Sequence, residues 1–121
     1  MDRISTIEYK EKKILFADFS FAGKKEEVLE VIEDYKKFIV QFEEGTVLTL
    51  TNFDQAYFDQ QINVELKELL KHNKKYVVKS AIIGVSTARK LFLETTAALT
   101  GRKLGVFKTI EEAKEYLSAD N

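Results

Sequence analysis

Between Val47 and Leu117 the chain alternates three times between a short β-forming run and an amphipathic helical stretch, and few folds accommodate that order. Val47-Leu48-Thr49-Leu50-Thr51 precedes a helical stripe of Phe58, Ile62, Leu66 and Leu69, with Leu70 beside it. Val78-Lys79-Ser80-Ala81-Ile82-Ile83-Gly84-Val85 precedes a stripe of Ala88, Leu91, Phe92, Thr95, Ala98 and Leu99 that stops at Gly101. Leu104-Gly105-Val106-Phe107 precedes Ile110, Ala113 and Leu117, and Thr109 with Glu112 forms a capping box at the start of that helix. Links long enough to hold a helix suit parallel crossovers and not hairpins.

The first third of the chain adds an antiparallel element. Ile4 to Tyr9 alternates like an edge strand, Glu11-Lys12-Lys13 reads as a polar turn, and Ile14 to Phe19 reads as a second strand. Val28, Ile32, Tyr35, Ile39 and Phe42 then recur at helical spacing, and Gly45 is the expected stop. The order β-β-α-β-α-β-α-β-α predicts one α/β domain over residues 1–121, with a mixed, mostly parallel five-stranded sheet and about four helices. Asn73 is a helix stop on this reading, and Ser118-Ala119-Asp120-Asn121 a frayed tail.

Composition narrows the function classes. Nineteen basic and twenty acidic residues leave a net charge of −1, which gives no long-range pull toward nucleic acid. The absence of cysteine removes thiolate metal ligands and thiol nucleophiles, and agrees with a cytoplasmic location. No apolar run approaches the ~20 residues that cross a bilayer, and the first residues lack a signal peptide's apolar core.

Open parallel sheets gather ligands where the strands end at their carboxyl sides. By that rule the site lies in the loops holding Asn52, Phe53 and Asp54, then Ser86 and Thr87, and Lys108 with Thr109. Asp18-Phe19-Ser20 joins them only if the hairpin runs in the right direction. Ser86 or Thr87 serves as an N-cap. Arg89 and Lys90 stand in the first helical turn, where the helix dipole favours acids, so the pair suits an anion such as a phosphate, a carboxylate or a lipid head group. His72, the one histidine, stands at a helix end without a ligand partner at metal spacing, and no metal or cofactor is expected. Asp54 and Asp59, five apart, do not share a helix face as a catalytic carboxylate pair would.

The stretches Lys79-Ser80-Ala81-Ile82-Ile83-Gly84-Val85-Ser86, Leu99-Thr100-Gly101-Arg102-Lys103 and Phe107-Lys108-Thr109-Ile110-Glu111-Glu112-Ala113, in this order of elements, resemble the STAS-like superfamily. The resemblance is greatest to its SpoIIAA-like branch of small bacterial proteins. It implies helices packed on a mixed sheet and a regulatory role. That superfamily includes anti-sigma-factor antagonists, sulfate-transporter cytoplasmic domains and stressosome proteins. The family's switch is a serine or threonine phosphorylated at the start of the helix after the third strand. Here that position falls near Asp54, which cannot accept a phosphate from a kinase in that way.

The leading expectation is therefore a non-enzymatic regulatory module. It meets a protein partner through Asn52, Phe53, Asp54, Ser86 and Thr87; an exposed Phe53 or Tyr57 would be its aromatic anchor, and burial of both would remove that support. The alternative is a small-ligand or lipid binder, with Arg89 and Lys90 on the anionic head and a cavity lined by Phe58, Leu91 and Phe92. A homodimer through the open sheet edge is a further expectation.

Overall fold

In the computed structural model, which describes residues 2–99 and 101–119, the order of elements is the one the sequence predicts. The strands are β1 (Ile4–Tyr9), β2 (Lys12–Asp18), β3 (Val47–Asn52), β4 (Val77–Ile83) and β5 (Leu104–Phe107). The helices are α1 (Lys25–Ile39), α2 (Gln60–Asn73), α3 (Thr87–Leu99) and α4 (Ile110–Ser118). Thr100, within one of the stretches quoted above, and Asp120-Asn121 of the expected frayed tail lie outside the described residues.

The strands lie side by side in chain order, β1-β2-β3-β4-β5. Only β1 runs antiparallel, pairing Ile4 with Ala17 and Tyr9 with Lys12. The hairpin turn is Lys10-Glu11, one residue earlier than the polar run suggests; both residues take positive φ, 49° and 67°. Two left-handed residues match the twist of a two-residue hairpin, even without asparagine or glycine.

Each new parallel strand is added on the same side, so right-handed crossovers carry their helices to one face. That face buries Leu15, Ala17 and Ile82 of the sheet against Val28, Val31, Ile32 and Tyr35 of α1, Ile62, Leu66 and Leu69 of α2, and Leu93 of α3. The opposite face buries Ile14, Leu50, Ala81 and Ile83 beneath Ala113 and Leu117 of α4. Lys79, also on that side, is buried and donates from Nζ to the carbonyls of Tyr116 (2.8 Å) and Ala119 (3.1 Å). Its charge thus meets the carbonyl end of α4, where the helix dipole favours a cation.

Two local expectations change and one holds. The first helix ends at Ile39, well before Gly45; that glycine, at φ 72°, instead donates to the Lys75 carbonyl on the way into β3. α2 ends at Asn73, the stop the sequence predicts, and that residue is fully buried in the core. In α3 the buried residues are Leu93, Thr96 and Ala97, whereas Leu91 and Leu99 are 68% and 79% exposed. Both sides of α3 are apolar, and spacing alone does not choose between them.

Candidate functional site

The carboxyl ends of four strands finish level. Asp18 pairs with Asn52, Asn52 with Ile83, and Ile83 with Phe107. Because β2 runs parallel to β3, the Asp18-Phe19-Ser20 turn lies at this end, which the sequence left open. Strand order never reverses, so the sheet lacks the switch-point crevice of a doubly wound fold. What forms here is a surface built from loop tips.

Backbone hydrogen bonds knit the loops together. Phe19 N donates to Asn52 O (2.8 Å), Phe21 N to Asp54 O (2.8 Å), Phe53 N to Ile83 O (3.0 Å) and Tyr57 N to Ala22 O (2.8 Å). Arg3 adds a clamp from β1's side, donating from one guanidinium nitrogen to Asp18 O (3.0 Å) and Ser20 O (2.9 Å). Gly84 makes the closest approach possible. It has φ 82°, and a side chain there would run into the Asp54 backbone nitrogen and lie 2.8 Å from Asp54 Cα and 3.0 Å from Asn52 Oδ1. Glycine is the residue that permits both the left-handed conformation and the contact.

Each residue singled out in the sequence now has a place. Asn52 is half-buried and turns its Oδ1 back to accept from Asp54 N (2.9 Å), an Asx turn that shapes the loop. Phe53 is only 4% exposed; its ring packs on Phe19 (4.8 Å between centroids) and Phe58 (5.4 Å). Tyr57 is half-buried, and its hydroxyl donates to Asp59 Oδ2 (2.9 Å). Neither aromatic thus meets the condition of exposure that an anchor there requires. The exposed phenylalanine at this end is Phe21, 68% exposed, with a φ of 59°. Asp54 and Gln55 stand exposed beside it, and Gln55 also has a positive φ, 56°. Two non-glycine residues in this conformation cost of the order of 1–2 kcal/mol each. Nothing in the sequence flags Phe21, since neither glycine nor asparagine marks the turn.

The start of α3 divides the expected group. Ser86 Oγ accepts from Arg89 N (3.3 Å), a capping bond, and Thr87 is the exposed first helical residue. Lys90 is exposed, but Arg89 turns away from the helix end. Its guanidinium stacks 3.7 Å from the Phe58 ring centroid and donates to Asn63 Oδ1 at 3.4 Å. Burial pushes its pKa down. Arg89 thus bridges α3 to α2, and the two cations do not converge on one point. Asp59, by contrast, is the α2 N-cap. It accepts from Ile62 N (2.8 Å) and pairs with Lys25 Nζ (2.8 Å). The Lys25 bond first, then the Ile62 N–H, holds its carboxyl at about 2. It is bound into the loop framework, away from any catalytic pairing with Asp54.

Among the described residues no group of three or more His, Cys, Asp or Glu could hold a metal ion, and no helix is long and apolar enough to cross a membrane. The interior cavity is not lined by Phe58, Leu91 and Phe92. It lies under α2, between Tyr35, Thr49, Thr51, Leu66, Leu69 and Arg102, among others, and measures about 30 Å³.

No protein-family model and no curated protein sequence matches the chain. Solved structures do. One is an uncharacterised protein of the DUF3478 family with a SpoIIAA-like fold from Shewanella loihica PV-4, with a TM-score of 0.74 at 12% identity, covering 94% of this chain and 91% of that one. Another is an anti-sigma-factor antagonist (STAS) domain protein from Planctomyces limnophilus, with a TM-score of 0.62 at 15% identity, covering 96% of this chain and 98% of that one. The chain has the SpoIIAA-like fold.

Proposed function

We propose that this chain is a non-enzymatic regulatory module that recognises a protein partner through its loop tips. Phe21 carries the reading: a large aromatic ring held out to solvent, at a backbone angle that costs energy, in the middle of a surface fixed by backbone hydrogen bonds. Strain in an otherwise rigid loop is commonly kept where function requires it. An exposed aromatic on a preordered surface is the usual centre of an interaction hot spot. Asp54 and Gln55 supply the polar rim beside it, with Ser86 and Thr87 of the neighbouring loop as further contacts. Asn52 and Phe53 act from beneath, by shaping the loop and seating it in the core. The similarity to an anti-sigma-factor antagonist domain favours a protein partner. Asp54, near the position of the family's phosphoacceptor, leaves this module without phosphorylation control at that point.

Affinity capture from cells that make the protein tests the reading. The bait is wild type, Phe21→Ser, Asp54→Lys, and Val78→Ser at the far end of the sheet, each checked for an unchanged unfolding midpoint. A partner recovered by wild type and Val78→Ser, and reduced at least tenfold by Phe21→Ser and Asp54→Lys, supports the proposal. Equal recovery by all four baits moves the binding surface elsewhere.

A further inference from the structure

Strand β1 is a free edge of the sheet. It stands at the end of the strand order, with β2 on one side and no strand on the other. Asp18 N donates to Arg3 O (2.8 Å), so the pairs that exchange hydrogen bonds with β2 are Arg3–Asp18, Ser5–Phe16, Ile7–Ile14 and Tyr9–Lys12. The N–H and C=O groups of Ile4, Thr6 and Glu8 therefore point outward, away from the sheet. Natural sheets blunt such an edge with a proline, a bulge or a lysine. β1 has none of these: its register with β2 is unbroken, and Glu8 is its one charged residue.

Beside this edge, on the face that carries α1, lies a groove of about 530 Å³. Ile4 and Asp2 form one wall, and Glu27, Glu30 and Asp34 on a flank of α1 form the other. Asp2, Glu30 and Asp34 are exposed, and Glu27 is half-buried. None of these four carboxylates has an ion-pair partner among the described residues. Arg3, the cation in the wall, directs its guanidinium to Asp18 O and Ser20 O instead. Further along the edge, Thr6 borders a smaller recess of about 130 Å³ with Leu15 and Phe42 in its wall.

We propose that β1 captures an extended segment of a partner protein as an added strand, with lysine or arginine side chains in the acidic groove. Main-chain bonds to Ile4, Thr6 and Glu8 supply affinity, and the recesses select alternate side chains. In the antiparallel arrangement, the more stable of the two, the partner residue opposite Thr6 leans toward Leu15 and Phe42. The residue opposite Ile4 and the one two positions further on, about 7 Å apart, lean toward Glu27, Glu30 and Asp34. The captured segment therefore reads aliphatic-x-basic-x-basic. Charge decides the occupant. A second copy paired through β1 about a two-fold axis would bring the two α1 flanks together, each with the same three carboxylates. Nucleic acid and an anionic membrane are repelled by the same groove. This surface runs along the side of the sheet and does not depend on Phe21.

The test is amide hydrogen exchange and ¹H–¹⁵N NMR on the protein titrated with the end-blocked peptide Thr-Val-Thr-Lys-Thr-Lys-Thr. The amides of Ile4, Thr6 and Glu8 should shift saturably and exchange at least tenfold more slowly. Two control peptides should bind at least tenfold more weakly: one with glutamate in place of both lysines, and one N-methylated at the valine and the first lysine, which removes the strand's own donors. The double variant Glu30→Lys, Asp34→Lys should weaken the original peptide by the same margin. If that variant fails to fold, the two control peptides on the wild type still decide. Three outcomes overturn the proposal. The original peptide leaves these amides unprotected, or either control peptide binds as tightly as the original. In the third, the amides become protected without peptide as protein concentration rises, which assigns the edge to a second copy.

Discussion

Replacing Gly84 with valine should remove about 2–5 kcal/mol of folding stability, a large part of what a domain of this size possesses. Two effects add. A β-branched residue at φ 82° bears the left-handed penalty of about 1–2 kcal/mol. Its Cβ would also meet the backbone of Asp54, which is held by its own bonds to Asn52 and Phe21 and cannot swing aside as a side chain would. Overpacking against such a neighbour adds about 1–3 kcal/mol. Gly45 provides the control: its φ is 72°, but nothing lies within 4 Å of a side chain there, so Gly45→Ala should cost only the conformational part, about 1–2 kcal/mol. Urea unfolding of both variants measures the difference. Equal losses would mean that the loops around Asp54 yield, and that the loop-tip surface is not preordered.

The two phenylalanines of the loop tips should respond in opposite ways. Phe53→Ala opens a cavity between Phe19, Phe58 and the sheet, and should cost about 3–5 kcal/mol. Phe21→Gly removes a ring that is mostly in solvent and relieves the left-handed strain, so stability should rise by up to about 1 kcal/mol. Partner binding should nevertheless be lost. A residue that weakens the fold yet sustains binding is present for the partner. Denaturant midpoints measured beside a capture assay test the pair. A destabilised Phe21→Gly would show that the ring packs in the fold, and would remove the main support for the proposed surface.

These two rings also mark the limit of what the sequence discloses. Element order was legible because β-branched runs and helical stripes differ in period, and Thr109 with Glu112 fixed the start of α4: Glu112 N donates to Thr109 Oγ1 at 3.2 Å. Phe53 and Phe21 look alike in the sequence. They differ because Phe53 follows a buried strand and continues inward, while a positive φ turns Phe21 out. Arg89 and Lys90 are adjacent in the chain, but a cation–π contact with Phe58, in the loop before α2, draws one of them away. The outward apolar stripe of α3, with Leu91 and Leu99, was as regular as the buried one. Thr49 and Ser80 read as ordinary strand residues. That they meet, 31 positions apart, depends on the register of β3 with β4.

The most direct test of the loop-tip account places a photoreactive phenylalanine analogue at position 21, and in a separate sample at position 78, followed by irradiation of living cells. The account predicts a discrete cross-linked protein from position 21, absent from position 78 and suppressed by Asp54→Lys in the same chain. No adduct from position 21, or the same adducts from both ends of the sheet, would contradict it.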